Sequence, residues 1–146
     1  MLAIDTNILF HAYHDGSQRH KKAYDWVDEI GGREDIVISE FVLVELYRLL
    51  RNPAVMDKPC SPPIAVAAIE SYRTHPRWRI AGFPTQSREL HDELYQRMSR
   101  PNIAYRRIYD TRLALSLQAA GVTEFATTNL KNFQGFGFTK VWNPLA

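Results

Sequence analysis

The chain has a single cysteine, Cys60, so no internal disulfide can form and no cysteine-based zinc site exists. That points to a reducing compartment, and a cytoplasmic location is expected. No apolar run approaches the ~18 residues of a membrane span. The first residues, Met1-Leu2-Ala3-Ile4-Asp5, lack a basic leader region and meet an acid at once, which argues against a signal peptide. Charge of one sign is also missing: 18 Lys and Arg face 16 Asp and Glu, for a net +2. So mild a balance neither announces nor excludes a nucleic-acid partner. There is no internal repeat and no low-complexity stretch. What is present is ordinary globular material, with 45% apolar and 23% charged residues in 146 positions. That length suits one domain, residues 1–146, burying roughly 70% of its unfolded surface.

Short apolar runs alternate with longer helical patterns. Leu2-Ala3-Ile4, Ile36-Val37-Ile38, Trp78 to Phe83, Phe125-Ala126-Thr127 and Val141-Trp142 read as strands. Helical spacing marks Ile8 to Tyr13, Ser17 to Ile30, Glu40 to Arg51, Ser61 to about Thr74, Gln86 to Ser99 and Asp110 to Ala120. Gly31-Gly32, Asn52-Pro53 and Gly121 stop three of them, and Ser39 is placed to cap the third. Strands separated by helices imply crossovers and a three-layer α/β domain, with a central, mostly parallel sheet of about five strands flanked by helices. In such sheets the chemistry gathers outside the carboxyl ends of the strands.

Acids or their amides recur at those ends. Asp5 closes the first strand, Asp110 lies at the start of a helix, and Thr127-Thr128-Asn129 follows the fourth strand, with Asn132-Phe133 just beyond. Glu45 follows the second strand, in a helix that is apolar nearly all round, with Phe41, Val42 and Leu49 as neighbours. Each has an ordinary structural reading: Asp5 and Asp110 as helix-start acids, Glu45 as a partner of Arg48, Thr127 to Asn129 as a turn. Together they are the oxygen-rich set that a hard cation such as Mg²⁺ or Mn²⁺ requires. The five histidines, His11, His14, His20, His75 and His91, have no metal-ligand spacing and read as structural. Arg100, Arg106, Arg107 and Arg112 flank Asp110, with Tyr105 and Tyr109 among them. They are surface arginines and packing aromatics, or contacts for phosphates and unpaired bases.

The succession Leu2-Ala3-Ile4-Asp5-Thr6-Asn7, Val42-Leu43-Val44-Glu45-Leu46, Tyr109-Asp110-Thr111-Arg112-Leu113-Ala114 and Ala126-Thr127-Thr128-Asn129 resembles a PIN domain. More narrowly it is similar to the VapC-type toxins of toxin–antitoxin pairs, over essentially the whole chain. The resemblance implies a metal-dependent endoribonuclease cutting RNA, with Mg²⁺ or Mn²⁺ as cofactor. Asp5, Glu45 and Asp110 match its first three acids and are the expected metal ligands and catalytic residues. Its fourth acid falls in Thr128-Asn129-Leu130-Lys131-Asn132-Phe133, where asparagine stands at both candidate positions. Asn129 is expected to position a water or a phosphate oxygen without adding charge. The resemblance also implies a homodimer and a small antitoxin that blocks the acidic pocket. Phe10, Tyr13, Trp26 and the segment Leu46 to Leu50 are either such an interface or core. Two other readings use the same residues. One is a degenerate PIN domain that binds RNA or a protein without cutting. The other is a phosphatase with Asp5 as nucleophile and Lys131 as its lysine.

Overall fold

A computed structural model describes all residues, 1–146. Its element order is β1 (Leu2–Ile4), α1 (Thr6–Tyr13), α2 (His20–Glu29), β2 (Ile36–Ser39), α3 (Glu40–Leu50), α4 (Pro62–Arg73), β3 (Arg79–Ala81), α5 (Ser87–Met98), α6 (Arg107–Ala119), β4 (Glu124–Ala126) and β5 (Lys140–Trp142). Single 3₁₀ turns cover Ile30–Gly32 and Leu130–Phe133. The five strands form one sheet in the order β3-β2-β1-β4-β5, and every neighbouring pair is parallel. β1 and β2 are buried at every position, as expected of strands covered on both faces.

Local signals explain the boundaries. Ser39 accepts from the Phe41 amide at 3.1 Å and opens α3. Pro62 and Pro63 occupy the first turn of α4, where a missing N–H costs nothing. Gly121 follows α6 with φ +89°, and a Cβ there would meet Met1 Cε at 2.9 Å. Gly31-Gly32 does end α2, but through a 3₁₀ turn rather than a clean break. The last long helix starts three residues earlier than the sequence pattern indicates. Asp110 therefore lies in the first turn of α6 and is not its cap.

From β1 the chain steps outward to β2 and β3, then returns to β4 and β5 on the other side of β1. Right-handed crossovers put α1 to α4 on one face of the sheet and α5 and α6 on the other. Accordingly α1 packs on α2 and α3, α3 on α4, and α5 on α6. The strand order reverses between β1 and β4, and the crevice outside their carboxyl ends is the natural site position. Phe10, Leu46 and Leu50 belong to the core, so they are not free interface; of that group Tyr13 and Arg48 are exposed, and Trp26, Tyr47 and Leu49 are half-buried. No helix is long and apolar enough to cross a membrane.

Candidate active site

Asp5 is the first residue after β1, at the reversal point, and is only 7% exposed. Its Oδ1 accepts from the Thr6 amide at 2.8 Å, so it is the cap of α1 as well as a site candidate. Its Oδ2 accepts from Thr127 Oγ1 at 2.6 Å, across from the end of β4. The Asn129 amide in turn donates to Thr127 Oγ1 at 3.0 Å. Asn7 Oδ1 accepts from the Thr128 amide at 3.4 Å, tying the β1 and β4 loops together a second time.

Glu45 reaches the same place from α3, accepting from Thr6 Oγ1 at 3.1 Å. The sequence suggests a carboxylate hemmed in by hydrophobes, and here the structure corrects it. Val42, Leu43, Leu46 and Leu50 form the buried face of α3, while Glu45, Val44 and Arg48 lie on its exposed side. The helix looks apolar all round because Val44 lines a surface groove instead of the core, and the half-buried Phe41 touches both. Nor does Glu45 pair with Arg48; no ion pair involves either residue.

Asp110 arrives from the opposite face, in the first turn of α6. Its Oδ2 accepts from Asn132 Nδ2 at 2.9 Å. The backbone carbonyl of Asn132 is itself held by the Arg107 guanidinium at 3.2 Å. Of the two asparagines after β4, then, Asn132 touches an acid. Asn129 is exposed, precedes the 3₁₀ turn, and makes no side-chain hydrogen bond to the three acids.

Electrostatics agree with this convergence. Burial pushes the Asp5 carboxyl up to about 6, against the pull of the hydrogen bonds from Thr127 and Thr6, and the charges of Glu45 and Asp110 push it further. No Lys or Arg forms an ion pair with Asp5, Glu45 or Asp110. Three acids thus share one crevice without a protein counter-charge. As the side chains stand, no three His, Cys, Asp or Glu groups lie together closely enough to hold a metal ion between them. The donor set nevertheless fits Mg²⁺ or Mn²⁺, because such ions keep several waters and take one or two carboxylates. Zinc, which favours nitrogen and sulfur, fits poorly.

Thr6 and Thr127 escaped the sequence reading as site residues. Their signal was present: Thr127 directly follows β4 and Thr6 lies two residues past β1, where a parallel sheet delivers them to the crevice. Thr127 is fully buried. Thr127→Val should cost about 1–3 kcal/mol of stability above pH 6, since it strips a buried carboxylate of a donor while keeping shape. Denaturant melts at pH 5 and pH 8 check this, with the larger loss at pH 8, where Asp5 is ionised.

The histidines serve the framework. His11 Nδ1 lies 2.6 Å from Ser17 Oγ, His20 Nδ1 2.9 Å from the His11 carbonyl, and His75 Nδ1 accepts from the Arg77 and Trp78 amides. Beside the acids, α3, α4 and the segment after β3 enclose a groove of about 480 Å³. Phe41, Val44, Tyr47, Val66, Ile69 and Phe83 give it an apolar lining, with Val44 71% and Phe83 88% exposed.

Comparison with known proteins bears on this geometry. The PIN domain family model matches residues 2–134. Ribonuclease VapC24 of Mycobacterium tuberculosis is 41% identical over 145 residues, covering 99% of this chain and 97% of that protein. Among solved structures, the sarcin–ricin loop cleaving toxin VapC20 of M. tuberculosis superimposes with a TM-score of 0.67 at 19% identity. That match covers 95% of this chain and 97% of the other. VapBC2 of Rickettsia felis, bound to a promoter DNA fragment, gives 0.62 at 20% identity, over 97% of both chains. FitAcB of Neisseria gonorrhoeae gives 0.60 at 17% identity, over 99% and 98%. The structural matches carry the fold, a five-stranded parallel sheet between helices, and the sequence matches carry the kinship: the chain belongs to the PIN-domain family, with a VapC ribonuclease among its relatives.

Proposed function

We propose that this protein is a Mg²⁺- or Mn²⁺-dependent endoribonuclease of the toxin type, hydrolysing RNA phosphodiester bonds and restrained by a small antitoxin. One observation carries the reading. Asp5 is buried at the strand-order reversal, the charges of Glu45 and Asp110 from two other elements both bear on it, and no cation of the protein pairs with any of the three. Ionising Asp5 there is costly unless a bound cation offsets it. The ribonuclease name of a relative 41% identical along nearly its full length supports the same chemistry.

Asp5 and Asp110 would hold the ion, and Glu45 would hold it or orient a water beside it. A divalent cation bound there would supply an acidified water and neutralise charge growing on the phosphate. The residues of the chain do the rest. Thr127 and Thr6 fix the rotamers of Asp5 and Glu45 through their hydroxyls. Asn132 holds one oxygen of Asp110 and leaves the other free. The Asn129 side chain, exposed and without a hydrogen bond to the acids, would position a water or a phosphate oxygen. The alternative of Asp5 as a phosphatase nucleophile is disfavoured, because both its oxygens accept hydrogen bonds and Lys131 donates none of them.

Partners belong to the same proposal. Solved relatives include toxin–antitoxin assemblies from Rickettsia felis and Neisseria gonorrhoeae. The apolar groove, lined by Val44 next to Glu45 in sequence, would offer an antitoxin a seat. Association into a homodimer completes the reading. The degenerate, binding-only alternative draws on the two asparagines where acids are expected. Cleavage separates it from the nuclease. Purified, antitoxin-free protein should cut total cellular RNA in Mn²⁺ at discrete positions, seen by sequencing new ends, and Asp110→Asn should give none. No new ends from folded wild-type protein would favour the binding domain.

A further inference from the structure

The acids of the crevice are unpaired, and so is one cation beside them. Arg112 lies in the second turn of α6, two residues beyond Asp110, and is half-buried. It enters no ion pair. Its Nε–H is shut off from solvent and finds no acceptor. The guanidinium rests instead on the Phe41 ring, 4.6 Å from its centre. Arg107, whose Nε is also orphaned, at least holds the Asn132 carbonyl through Nη2. Positions two apart diverge around a helix, so Asp110 turns to Asn132 after β4 while Arg112 turns to Phe41 after β2. Phe41 and Glu45 are four residues apart on α3, so the ring that carries the guanidinium is one helical turn from Glu45.

A packing role explains this badly. An arginine that only covers apolar surface lays down its stem and keeps its head in water. Here an N–H is buried without a partner, a cost that Met or Leu in the same place would not carry. A free guanidinium beside free carboxylates should also close on one of them. The Phe41 ring gives it another seat, and the acids stay open for a cation. What the orphaned donors lack is an anion. A guanidinium matches two oxygens of a carboxylate or a phosphate alike. The position, two residues past one acid and over a ring one turn from another, selects the phosphate that those acids would cut.

We propose that Arg112 is a catalytic residue, donating from Nε and one Nη to the non-bridging oxygens of the phosphate being cut, and that Phe41 is the positioning residue that aims it. The inference rests on the ribonuclease reading and adds a residue to that same site. In the hydrolysis a water oxygen bonds to phosphorus, and the bond from phosphorus to one ribose oxygen breaks. That oxygen leaves with a proton drawn from the water, and Arg112 keeps all of its own. The guanidinium meets the charge that grows on the phosphate, so its effect falls on the rate more than on binding.

Single-turnover cleavage of total cellular RNA in Mn²⁺, with protein in excess and new ends counted by sequencing, separates those two quantities. Arg112→Ala should lower the saturating rate about 10²- to 10³-fold at unchanged cut positions. The half-saturating protein concentration should move less than about threefold. Raising Mn²⁺ should not restore the rate, since this residue holds no metal. Arg112→Lys should recover only part of it, a point charge replacing a fork. Phe41→Leu should cost about tenfold in rate, and Phe41→Tyr, which keeps the ring, should regain most of that. In the Arg112→Ala background Phe41→Leu should cost nothing further. Arg112→Met, which keeps the stem and drops the orphan, should melt no lower than the wild type. Full-rate cleavage by Arg112→Ala, or a loss confined to half-saturation, overturns the proposal. So does a lower melting temperature for Arg112→Met, which would make Arg112 a packing residue. A wild type that cuts nothing sinks the ribonuclease reading itself and this role with it, so the two fail on different results.

Discussion

Metal-free Asp5→Asn protein should be more stable than the wild type at pH 8, and inactive. Burial and two neighbouring carboxylates push Asp5 up to about 6 from an ordinary value near 3.8. The folded chain therefore holds this proton more tightly than the unfolded chain does. Between those two values the native state binds more protons, so wild-type stability falls as pH rises through the window and levels off above about 6. The full penalty is about 3 kcal/mol. Asparagine removes it but keeps only one of the two hydrogen bonds Asp5 accepts, from Thr6 and Thr127. A net gain of about 1–2 kcal/mol remains, a few degrees in Tm. Thermal melts in EDTA from pH 4 to pH 8 should show the gap opening between pH 4 and pH 6 and constant above. Excess Mn²⁺ should invert the order, stabilising the wild type and not the variant. RNA cleavage by the variant should fall about 100-fold or more. A variant less stable than wild type at pH 8 in EDTA would mean that Asp5 is a simple helix cap and carries no cost for function.

Much of this was legible in the sequence, for stated reasons. All five strands were visible: β1, β2 and β4 because buried parallel strands are short β-branched or apolar runs bounded by polar turns, and the half-buried edge strands β3 and β5 from shorter apolar pairs. Helix ends followed from Ser39, Pro62 and Gly121, whose backbone chemistry is local. Asp5 was legible as a crevice residue because it directly follows β1, so position after a strand stands in for position in space, whereas Glu45 and Asp110 lie within α3 and α6 and were singled out with the help of the family resemblance. What the sequence hid was two-body geometry. Whether the face of α3 carrying Phe41 and Val44 meets core or solvent depends on where α4 and Phe83 lie, and the periodicity of α3 alone does not tell. The start of α6 at Arg107 depends on a turn through Tyr105 and Ile108 that carries no capping residue. The hydroxyls of Thr6 and Thr127 look like turn residues until their partners 39 and 122 positions away are known. Likewise Asn129 and Asn132 are equivalent on paper, and only the 3₁₀ turn Leu130–Phe133, which carries Asn132, decides which amide faces Asp110.

That choice sets the second large effect. Asn132→Ala removes the donor to Asp110 Oδ2 and leaves the carboxylate free to rotate, while the Arg107 contact to the backbone of residue 132 survives. Partners of this kind typically carry about 10- to 100-fold in metal affinity, and a loss of that size is expected in Mn²⁺ titrations followed by electron paramagnetic resonance. Because Asn132 acts through Asp110 and touches no substrate, raising Mn²⁺ should restore cleavage, and adding Asn132→Ala to Asp110→Asn should cost nothing further. Asn132→Asp makes a sharper contrast. An ionised carboxylate cannot donate, so without metal it repels Asp110 and the melting temperature in EDTA should drop. With metal it supplies a fourth acid, and Mn²⁺ affinity should rise above wild type. Opposite signs from one substitution, negative without the ion and positive with it, would place residue 132 within reach of the cation. Loss of stability in both conditions would make Asn132 a fold residue only.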